Sequence, residues 1–231
     1  QFKVIFSSNL TAVVQRVSYP VLSSIQSEPV RLREAYRRVI KLTMIVTFAC
    51  MLGLAAIAKP LIILLIGEKW LPAVPFLQII CFSGMLYPLH AINLNILQVK
   101  GRSDLYLKLE IIKKIIAVIT IFIGIFWGIE CMLWGGVFVS FISFFLNSYY
   151  SADLIDYSTK NQISDIFPFL IISLIVSFCI WLISFTEWSY IIILIIQIIV
   201  GIGLYWFISE KLPIQEYQEV RQLVFSLFKK K

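Results

Sequence analysis

Long apolar runs separated by short charged segments dominate the pattern of this sequence. One uncharged stretch extends from Trp70 to Val99, and another extends from Ile115 to Ile129. Because an α-helix rises about 1.5 Å per residue, roughly 20 apolar residues cross a bilayer core of about 30 Å. Counted from charge to charge, the pattern predicts seven spans, at about residues 2–25, 38–58, 75–98, 106–129, 132–152, 166–186 and 188–208.

Several of these predicted spans carry polar or helix-breaking residues. The first contains Arg16 and Pro20, and Pro20 is expected to end or kink that helix. The second is followed by an apolar extension beyond Pro60. The fourth contains Lys113 and Lys114, whose ammonium groups are expected to reach outward towards the membrane surface. The pattern therefore predicts an all-α, multi-pass transmembrane helical bundle with short connections.

Composition agrees with a membrane protein. Hydrophobic residues make up 60% of the 231 residues and charged residues only 14%, far from the usual mix of a soluble domain. The net charge of +7 favours an anionic lipid surface over nucleic acid as a partner, because the cations separate runs of membrane length. The four cysteines are far apart without a CxxC pair, so neither a disulfide framework nor a metal site is predicted.

Lys and Arg residues collect in alternate connections. The connections after the first, third and fifth predicted spans and the C-terminal tail hold most of the 20 cations, whereas the other connections hold few. By the positive-inside rule these segments and the C-terminus are cytoplasmic. In the connections after the first and third spans, six basic residues are assigned to this face: Arg31, Arg33, Arg37, Arg38, Lys100 and Arg102.

Turn residues mark the ends of the predicted helices in these basic connections. Gly101 is expected to end one helix, and Ser103 or Asp104 is expected to cap the next. In the earlier connection Ser27 is the predicted cap and Pro29 suits the first helical turn. A cytoplasmic helix that leads into the second span should follow.

The tail has apolar residues at helical spacing, with Tyr217 among them and Glu216 off that face. We expect it either to lie on the inner leaflet or to pack on the protein's own cytoplasmic face. At the other end, the chain begins Gln1-Phe2-Lys3 without Met and enters an apolar run at once. We therefore expect a fragment that lacks an N-terminal portion.

Three blocks of the sequence carry a family resemblance. In order and spacing, "YPVLSSIQSEPVRLREAYRRVIKL", "PLIILLIGEKWLPAVPFLQII" and "PLHAINLNILQVKGRSDLYLKLEIIKK" resemble the second half of the Wzx-type polysaccharide flippases of the MOP (multidrug, oligosaccharidyl-lipid, polysaccharide) exporter superfamily. The likeness is greater to the WzxC-like lipopolysaccharide and exopolysaccharide exporters. It covers roughly residues 10–130, whereas residues 131–231 match mainly in hydropathy and span count.

The resemblance implies a division of the chain. Residues 1–154 would form helices of the C-terminal lobe, residues 155–209 an additional transmembrane helix pair, and residues 210–231 a cytoplasmic amphipathic tail. The first lobe would be absent. It also implies the export of a lipid-linked oligosaccharide, carried on polyprenyl diphosphate, across the bacterial inner membrane by alternating access between lobes. Implied partners are membrane lipids, the first lobe of the same chain and the polysaccharide polymerase or export machinery.

Polar residues inside the predicted spans are the candidate substrate-binding residues. An arginine at membrane depth normally faces a cavity or a partner, and in resembling flippases such cations are thought to hold the diphosphate and acidic sugars. Snorkelling or a structural ion pair is the alternative for Arg16, and helix-to-helix contacts are the alternative for the amides. For the histidine the alternatives are a satisfied core residue and a proton relay. The candidates are Arg16, His90, Asn93, Asn95 and Gln98.

Other functions are less well supported by the residues. A multi-pass glycan-processing enzyme would need a base, a nucleophile or a metal-binding carboxylate set on a sizeable loop, and the loops here are short. A multidrug or cation exporter of the same superfamily stays open as the alternative. Every Asp and Glu is assigned to a turn or its border, so no ion-coupling carboxylate is expected in these spans. The prediction is thus a transporter without cofactor or metal, not an enzyme.

Overall fold

The computed structural model describes residues 9–211 and 216–217. The described residues form nine α-helices joined by short turns and two 3₁₀ segments, and they contain no strand. The helices are α1 (Asn9–Ser24), α2 (Pro29–Ala56), α3 (Ala58–Ile66), α4 (Val74–Gly84), α5 (Tyr87–Val99), α6 (Ser103–Trp127), α7 (Ile129–Ile155), α8 (Thr159–Leu182) and α9 (Tyr190–Lys211). The predicted all-α class is confirmed.

Membrane-length helices account for most of this bundle. Within the described part of the chain, five helical segments are long and apolar enough to cross a bilayer: Pro29–Ala56, Glu68–Val99, Ile129–Ile155, Thr159–Phe185 and Tyr190–Lys211. The helix α6 is 25 residues long, but charged residues occupy its first half. The first predicted span begins outside the described residues. The count of seven spans therefore stays a prediction.

Prolines divide two of the predicted apolar runs. The run after residue 38 breaks at Ile57 between α2 and α3, and the run 75–98 breaks at residues 85–86 between α4 and α5. Proline has no N–H for the carbonyl four residues earlier, and its ring crowds that carbonyl. Pro60 and Pro88 would face the carbonyls of Ala56 and Gly84, and α2 and α4 end at those residues. The predicted span at 75–98 is thus built from two helices, α4 and α5, which lie within one membrane-length segment, Glu68–Val99.

Proline has a different outcome in the first helix. Pro20 lies inside α1, which continues to Ser24, so Pro20 does not end that helix. Pro29 occupies the first turn of α2, as predicted, and α2 continues without a break into the apolar run. The predicted helix that leads into the second span is thereby confirmed, while its cytoplasmic location stays a prediction.

The turn between α5 and α6 closes by hydrogen bonds that need a glycine. Gly101 has φ +69°, a left-handed conformation that glycine adopts at little cost. The Gly101 N–H donates to the Gln98 carbonyl at 3.0 Å, and the Arg102 N–H donates to the Leu97 carbonyl at 2.8 Å. These two bonds form a Schellman motif that satisfies the last carbonyls of α5. The predicted helix end at Gly101 is confirmed.

The predicted side-chain caps were wrong. The residue before α2 is Glu28 and the residue before α6 is Arg102, and neither gives a side-chain cap. The Asp104 carboxylate instead accepts hydrogen bonds from Arg102, at 3.0 and 2.9 Å. A charge-assisted bond to a guanidinium is stronger than a neutral cap bond, so the aspartate is occupied by the arginine.

Helix α2 lies at the centre of the described bundle. Its most extensive contacts are with α8, and it also packs against α4 and α5. Its inward face buries Leu32, Tyr36, Ile40, Met44 and Phe48 in the hydrophobic core. Helix α8 of the predicted additional pair is therefore joined to the rest of the bundle through α2, while the division at residue 154 stays a prediction.

Close approach of two backbones joins α6 to α7. A Cβ added at Gly124 would lie 2.7 Å from the Met132 Cβ, and one at Gly135 would lie 3.0 Å from Thr120. Side chains at these positions would force the two helices apart. Small residues at such contacts are typical of helix pairs in membranes, where backbone proximity increases van der Waals contact.

Candidate substrate site

The five candidate residues lie in different surroundings. Arg16 is exposed near the middle of α1, and Gln98 is exposed near the end of α5. Asn93 and Asn95 are buried, at 0% and 3% exposure. His90 is partly buried on the wall of a cavity. The structure therefore does not bring the five side chains together at one site, and their contact with substrate stays a prediction.

Asn93 is the centre of a buried polar network. Its side-chain oxygen accepts hydrogen bonds from the Tyr36 hydroxyl at 2.6 Å and the Ser151 hydroxyl at 2.7 Å. Its amide nitrogen donates to the Leu89 carbonyl at 3.0 Å and to Gln162 Oε1 at 3.2 Å. Both ends of the amide are therefore satisfied, and the network joins α5 to α2, α7 and α8.

The second buried amide, on Asn95, makes a hydrogen bond to a neighbouring helix. Asn95 donates to the Ser18 hydroxyl at 3.3 Å and so joins α5 to α1. Asn93 and Asn95 thus make the helix-to-helix contacts that are the common use of amides in membrane bundles. Because they point to different helices, they cannot hold one ligand together in this arrangement.

A polar cavity of about 620 Å³ lies between α5, α6 and α7. His90 lines it from α5, Ser140 from α7, and Glu110, Lys113 and Lys114 from α6. The Glu110 carboxylate and the Lys113 ammonium form an ion pair. This volume lies within the usual range of ligand pockets, roughly 300–1,000 Å³. The cavity therefore brings one of the five candidates together with charged residues that were not among them.

Two predictions about these charges were wrong. Lys113 was expected to reach outward, but its side chain is 14% exposed and pairs with Glu110 along the cavity. Glu110 was assigned to the border of a turn, but it lies two helical turns into α6, because that helix begins at Ser103. The three-residue spacing of Glu110 and Lys113, which places both on one helix face, was the signal for their pairing.

The basic connections lie together at one end of the bundle. Lys100 after α5 donates to the Gln26 carbonyl in the connection before α2, at 2.9 Å. Arg33 of α2 pairs with Asp156 in the connection after α7, at 3.0 Å. The predicted cationic connections are thus adjacent in space, which confirms that they share one end. Arg31 pairs with Glu28 and Arg102 with Asp104 at the same end, both exposed.

Asp165 is the acidic centre of a cluster at this end that was not predicted. Both of its carboxylate oxygens accept hydrogen bonds from Arg37. The Tyr157 hydroxyl donates to it at 2.6 Å, and Lys41 Nζ lies 3.7 Å away. Burial raises the pKa of Tyr157, and its hydrogen bond to Asp165 raises it further, so the phenol stays protonated as a donor. No sequence spacing indicates this cluster, since Arg37 and Asp165 lie 128 residues apart.

The described part of the tail joins the same cluster. Lys41 Nζ donates to Glu216 Oε1 at 2.9 Å, and Tyr217 is buried against Phe169 and Tyr205. At these two residues the tail packs on the protein's own face, which was one of the two predicted alternatives. The other tail residues of the predicted amphipathic pattern lie outside the described residues.

Comparisons with known proteins point to polysaccharide synthesis. Residues 1–75 match the family described as "Polysaccharide biosynthesis protein". An "uncharacterized membrane protein in cps region" of Klebsiella pneumoniae is 31% identical over 121 residues, which are 52% of this chain and 25% of that protein. The teichuronic acid biosynthesis protein TuaB of Bacillus subtilis is 27% identical over 164 residues, 70% of this chain and 34% of TuaB.

A third relative is the lipopolysaccharide biosynthesis protein WzxC of Escherichia coli, which is 29% identical over 115 residues, 50% of this chain and 23% of WzxC. The chain thus spans between about a quarter and a third of the length of these relatives. No solved structure matches the chain significantly. Together the matches confirm the predicted resemblance to the Wzx-type polysaccharide flippases of the MOP superfamily.

Proposed function

We propose that the protein containing this chain is a flippase for lipid-linked oligosaccharide or polysaccharide repeat units. The observation that carries this proposal is the similarity of a chain of membrane-length helices to proteins named for lipopolysaccharide and teichuronic acid biosynthesis. Saccharide units built on a membrane lipid have to cross the bilayer, and a hydrophilic headgroup crosses only through a polar path between helices. This chain would supply the second-lobe wall of that path and the additional helix pair, and residues 210–231 would form the cytoplasmic tail.

The proposed partners follow from this role. They are a polyprenyl-diphosphate-linked oligosaccharide, membrane lipids, the first lobe of the same chain and the polysaccharide polymerase or export machinery. The resemblance to Wzx-type flippases and the short loops between membrane-length helices support a transporter of this kind rather than an enzyme. The alternative, a drug or cation exporter, would need acidic and aromatic walls in the transport path, whereas Arg16 would add a cation to it.

We also propose an orientation in the bacterial inner membrane, with the basic end of the bundle and the C-terminus in the cytoplasm. The grouping of Lys100, Gln26, Arg33 and Asp156 at one end supports it, since cationic connections stay on the cytoplasmic side.

Cysteine labelling in intact cells tests this orientation. Two single-cysteine proteins are compared. In the first, all four native cysteines are replaced, and we expect Ser103→Cys to react with a membrane-impermeant maleimide only after the cells are permeabilised. In the second, Cys131 is the single cysteine. The native Cys131 is the matched control, because it is exposed near the start of α7, at the opposite end of α6. Cys131 should react in intact cells. Reaction of Ser103→Cys from outside would overturn the orientation.

A substitution of Arg16 tests the proposed substrate contact. The Arg16→Ala variant of the native protein is expected to lose export of the surface glycan while its abundance in the membrane stays unchanged, because a guanidinium suits phosphate through its forked donors. Glycan at the cell surface is measured by lectin or antibody binding. Arg31→Ala is the matched control, since Arg31 is exposed at the basic end and pairs with Glu28. Full export by Arg16→Ala would remove Arg16 from the substrate site.

A further inference from the structure

The cavity between α5, α6 and α7 has a defined hydrogen-bond direction on its histidine wall. The Ser140 hydroxyl donates to the Ser83 carbonyl at 3.1 Å, and His90 Nε2 lies 3.1 Å from the same hydroxyl oxygen. A serine has one hydrogen to donate. Since Ser140 gives it to Ser83, its oxygen accepts from His90, and Nε2 carries the proton. Nδ1 of the neutral ring is then an acceptor.

That acceptor is unused. His90 Nδ1 is buried and has no hydrogen-bond partner among the residues that the structure describes. An unpaired buried acceptor is costly, and a ligand that supplies a donor gains from pairing it.

The wall of the cavity formed by α6 offers both hydrogen-bond donors and hydrogen-bond acceptors. Glu110 presents a carboxylate acceptor, and Lys113 and Lys114 present ammonium donors. Two aromatic rings, Tyr87 and Tyr106, also line the cavity. A ring that carries several hydroxyl groups matches this set, because each hydroxyl both donates and accepts.

The geometry points to a saccharide-binding site in this cavity, with His90 Nδ1 and Glu110 accepting from sugar hydroxyls and Lys113 donating to a sugar oxygen. The site rests on the proposed function and adds to it a place for one sugar ring within this lobe. Glu110, Lys113 and Ser140 belong to this site but were not among the substrate-binding candidates chosen from the sequence. His90 would act there as a neutral acceptor rather than as a proton relay.

Binding of simple sugars to the native protein tests the site. Saturation-transfer NMR on the protein in lipid nanodiscs would use D-glucose as the probe, with fully O-methylated methyl glucoside as a probe that keeps the ring and lacks hydroxyl donors. We expect transfer to glucose and none to the methylated ring. Glu110→Gln and His90→Phe should each weaken glucose binding about tenfold, which corresponds to the loss of one buried hydrogen bond to a polar group.

Lys108→Met is the matched control. Lys108 lies on the same helix as Glu110, but it stacks over the Tyr150 ring and does not line the cavity, so its removal should leave glucose binding unchanged. Glu110→Gln changes one atom and keeps the side-chain volume, so it tests the site even where His90→Phe lowers the protein's melting temperature. The saccharide site would be overturned if both probes bound equally, or if Glu110→Gln bound glucose as well as the unmodified protein does.

Glycan export, measured separately in cells, distinguishes this site from the proposed function. If the unmodified protein exports glycan but shows no saturation transfer to glucose, the saccharide site is overturned while the flippase proposal stands. If the unmodified protein does not export glycan, the flippase proposal is overturned, whatever the two sugar probes show. If glycan export and glucose binding both decrease in Glu110→Gln, the result supports the saccharide site and the flippase proposal.

Discussion

Replacing Asn93 with leucine is expected to lower the free energy of unfolding by about 2–4 kcal/mol. Leucine has the same number of side-chain heavy atoms and the same branching, but it accepts and donates nothing. Interhelical hydrogen bonds in membrane proteins average about 0.6 kcal/mol each, with the largest near 1.7 kcal/mol. Asn93 makes three such contacts, and their sum accounts for the lower part of the range.

The upper part of the range comes from the groups left behind. The Ser148 carbonyl lies 3.1 Å from the Ser151 hydroxyl oxygen, so the single hydroxyl hydrogen of Ser151 can turn to that carbonyl when Asn93 is lost. The Tyr36 hydroxyl, on a side chain that is 0% exposed, loses the acceptor that it contacts at 2.6 Å. Leaving a buried hydroxyl unpaired costs about 1–3 kcal/mol.

Asn95→Leu is the matched control for this prediction. Asn95 is the same residue type on the same helix and is also buried, but among the described residues it makes one hydrogen bond of 3.3 Å, to Ser18. We expect its loss to cost about 1 kcal/mol or less. Thermal denaturation of the purified protein, followed by the loss of its monodisperse chromatographic peak, measures both. A melting temperature for Asn93→Leu that equals that of Asn95→Leu would contradict the structural role of the network.

The Asp165→Asn variant is expected to lose about 2–3 kcal/mol of stability. All three groups around the carboxylate, on Arg37, Lys41 and Tyr157, are donors. An asparagine amide would therefore place its own N–H₂ against a donor in either orientation. The Asp165 side chain is 9% exposed, and hydrogen bonds to a charged group contribute about 1.5–3 kcal/mol.

Partial solvent access limits this loss. Arg37 is 52% exposed and regains water when its partner changes, and Lys41 keeps its ion pair with Glu216 at 2.9 Å. For these reasons the expected effect is smaller than the roughly 3–5 kcal/mol found when a fully buried ion pair is broken.

Asp104→Asn is the matched control for Asp165→Asn. It also removes a carboxylate that contacts an arginine, but the Arg102 and Asp104 side chains are 46% and 62% exposed. Exposed pairs contribute about 0–1 kcal/mol. The two variants are compared by thermal denaturation at the same pH and salt concentration. If Asp165→Asn melted within 1 °C of Asp104→Asn, the cluster would have no structural role.

Much of the architecture was predictable because its causes are local. The end of α5 follows from one glycine, Gly101, that takes up the left-handed conformation. The break at Ile57 and the break before Tyr87 follow from Pro60 and Pro88, and the second was missed although the same rule applies to both. The grouping of the basic connections at one end followed from their alternation along the chain.

The surroundings of the candidate residues were not predictable in this way. Asn93, Asn95 and Gln98 lie within six residues of one another, yet one joins three neighbouring helices, one contacts α1 and one is exposed. Helical spacing tells which of them share a face. It does not tell which helix packs on that face, so the alternative between sugar contact and helix contact stayed open in the sequence.

The sequence by itself determined the all-α membrane class of the fold, the positions of its apolar runs and the end of the bundle where its cations lie. It could do so because apolar length, proline, glycine and charge act within a few residues. Only the tertiary structure decided the partners: Asp165 for Arg37, Tyr36 and Ser151 for Asn93, and Ser140 for His90. These pairs join residues between 50 and 128 positions apart. Their contact depends on how whole helices pack, which no local pattern specifies.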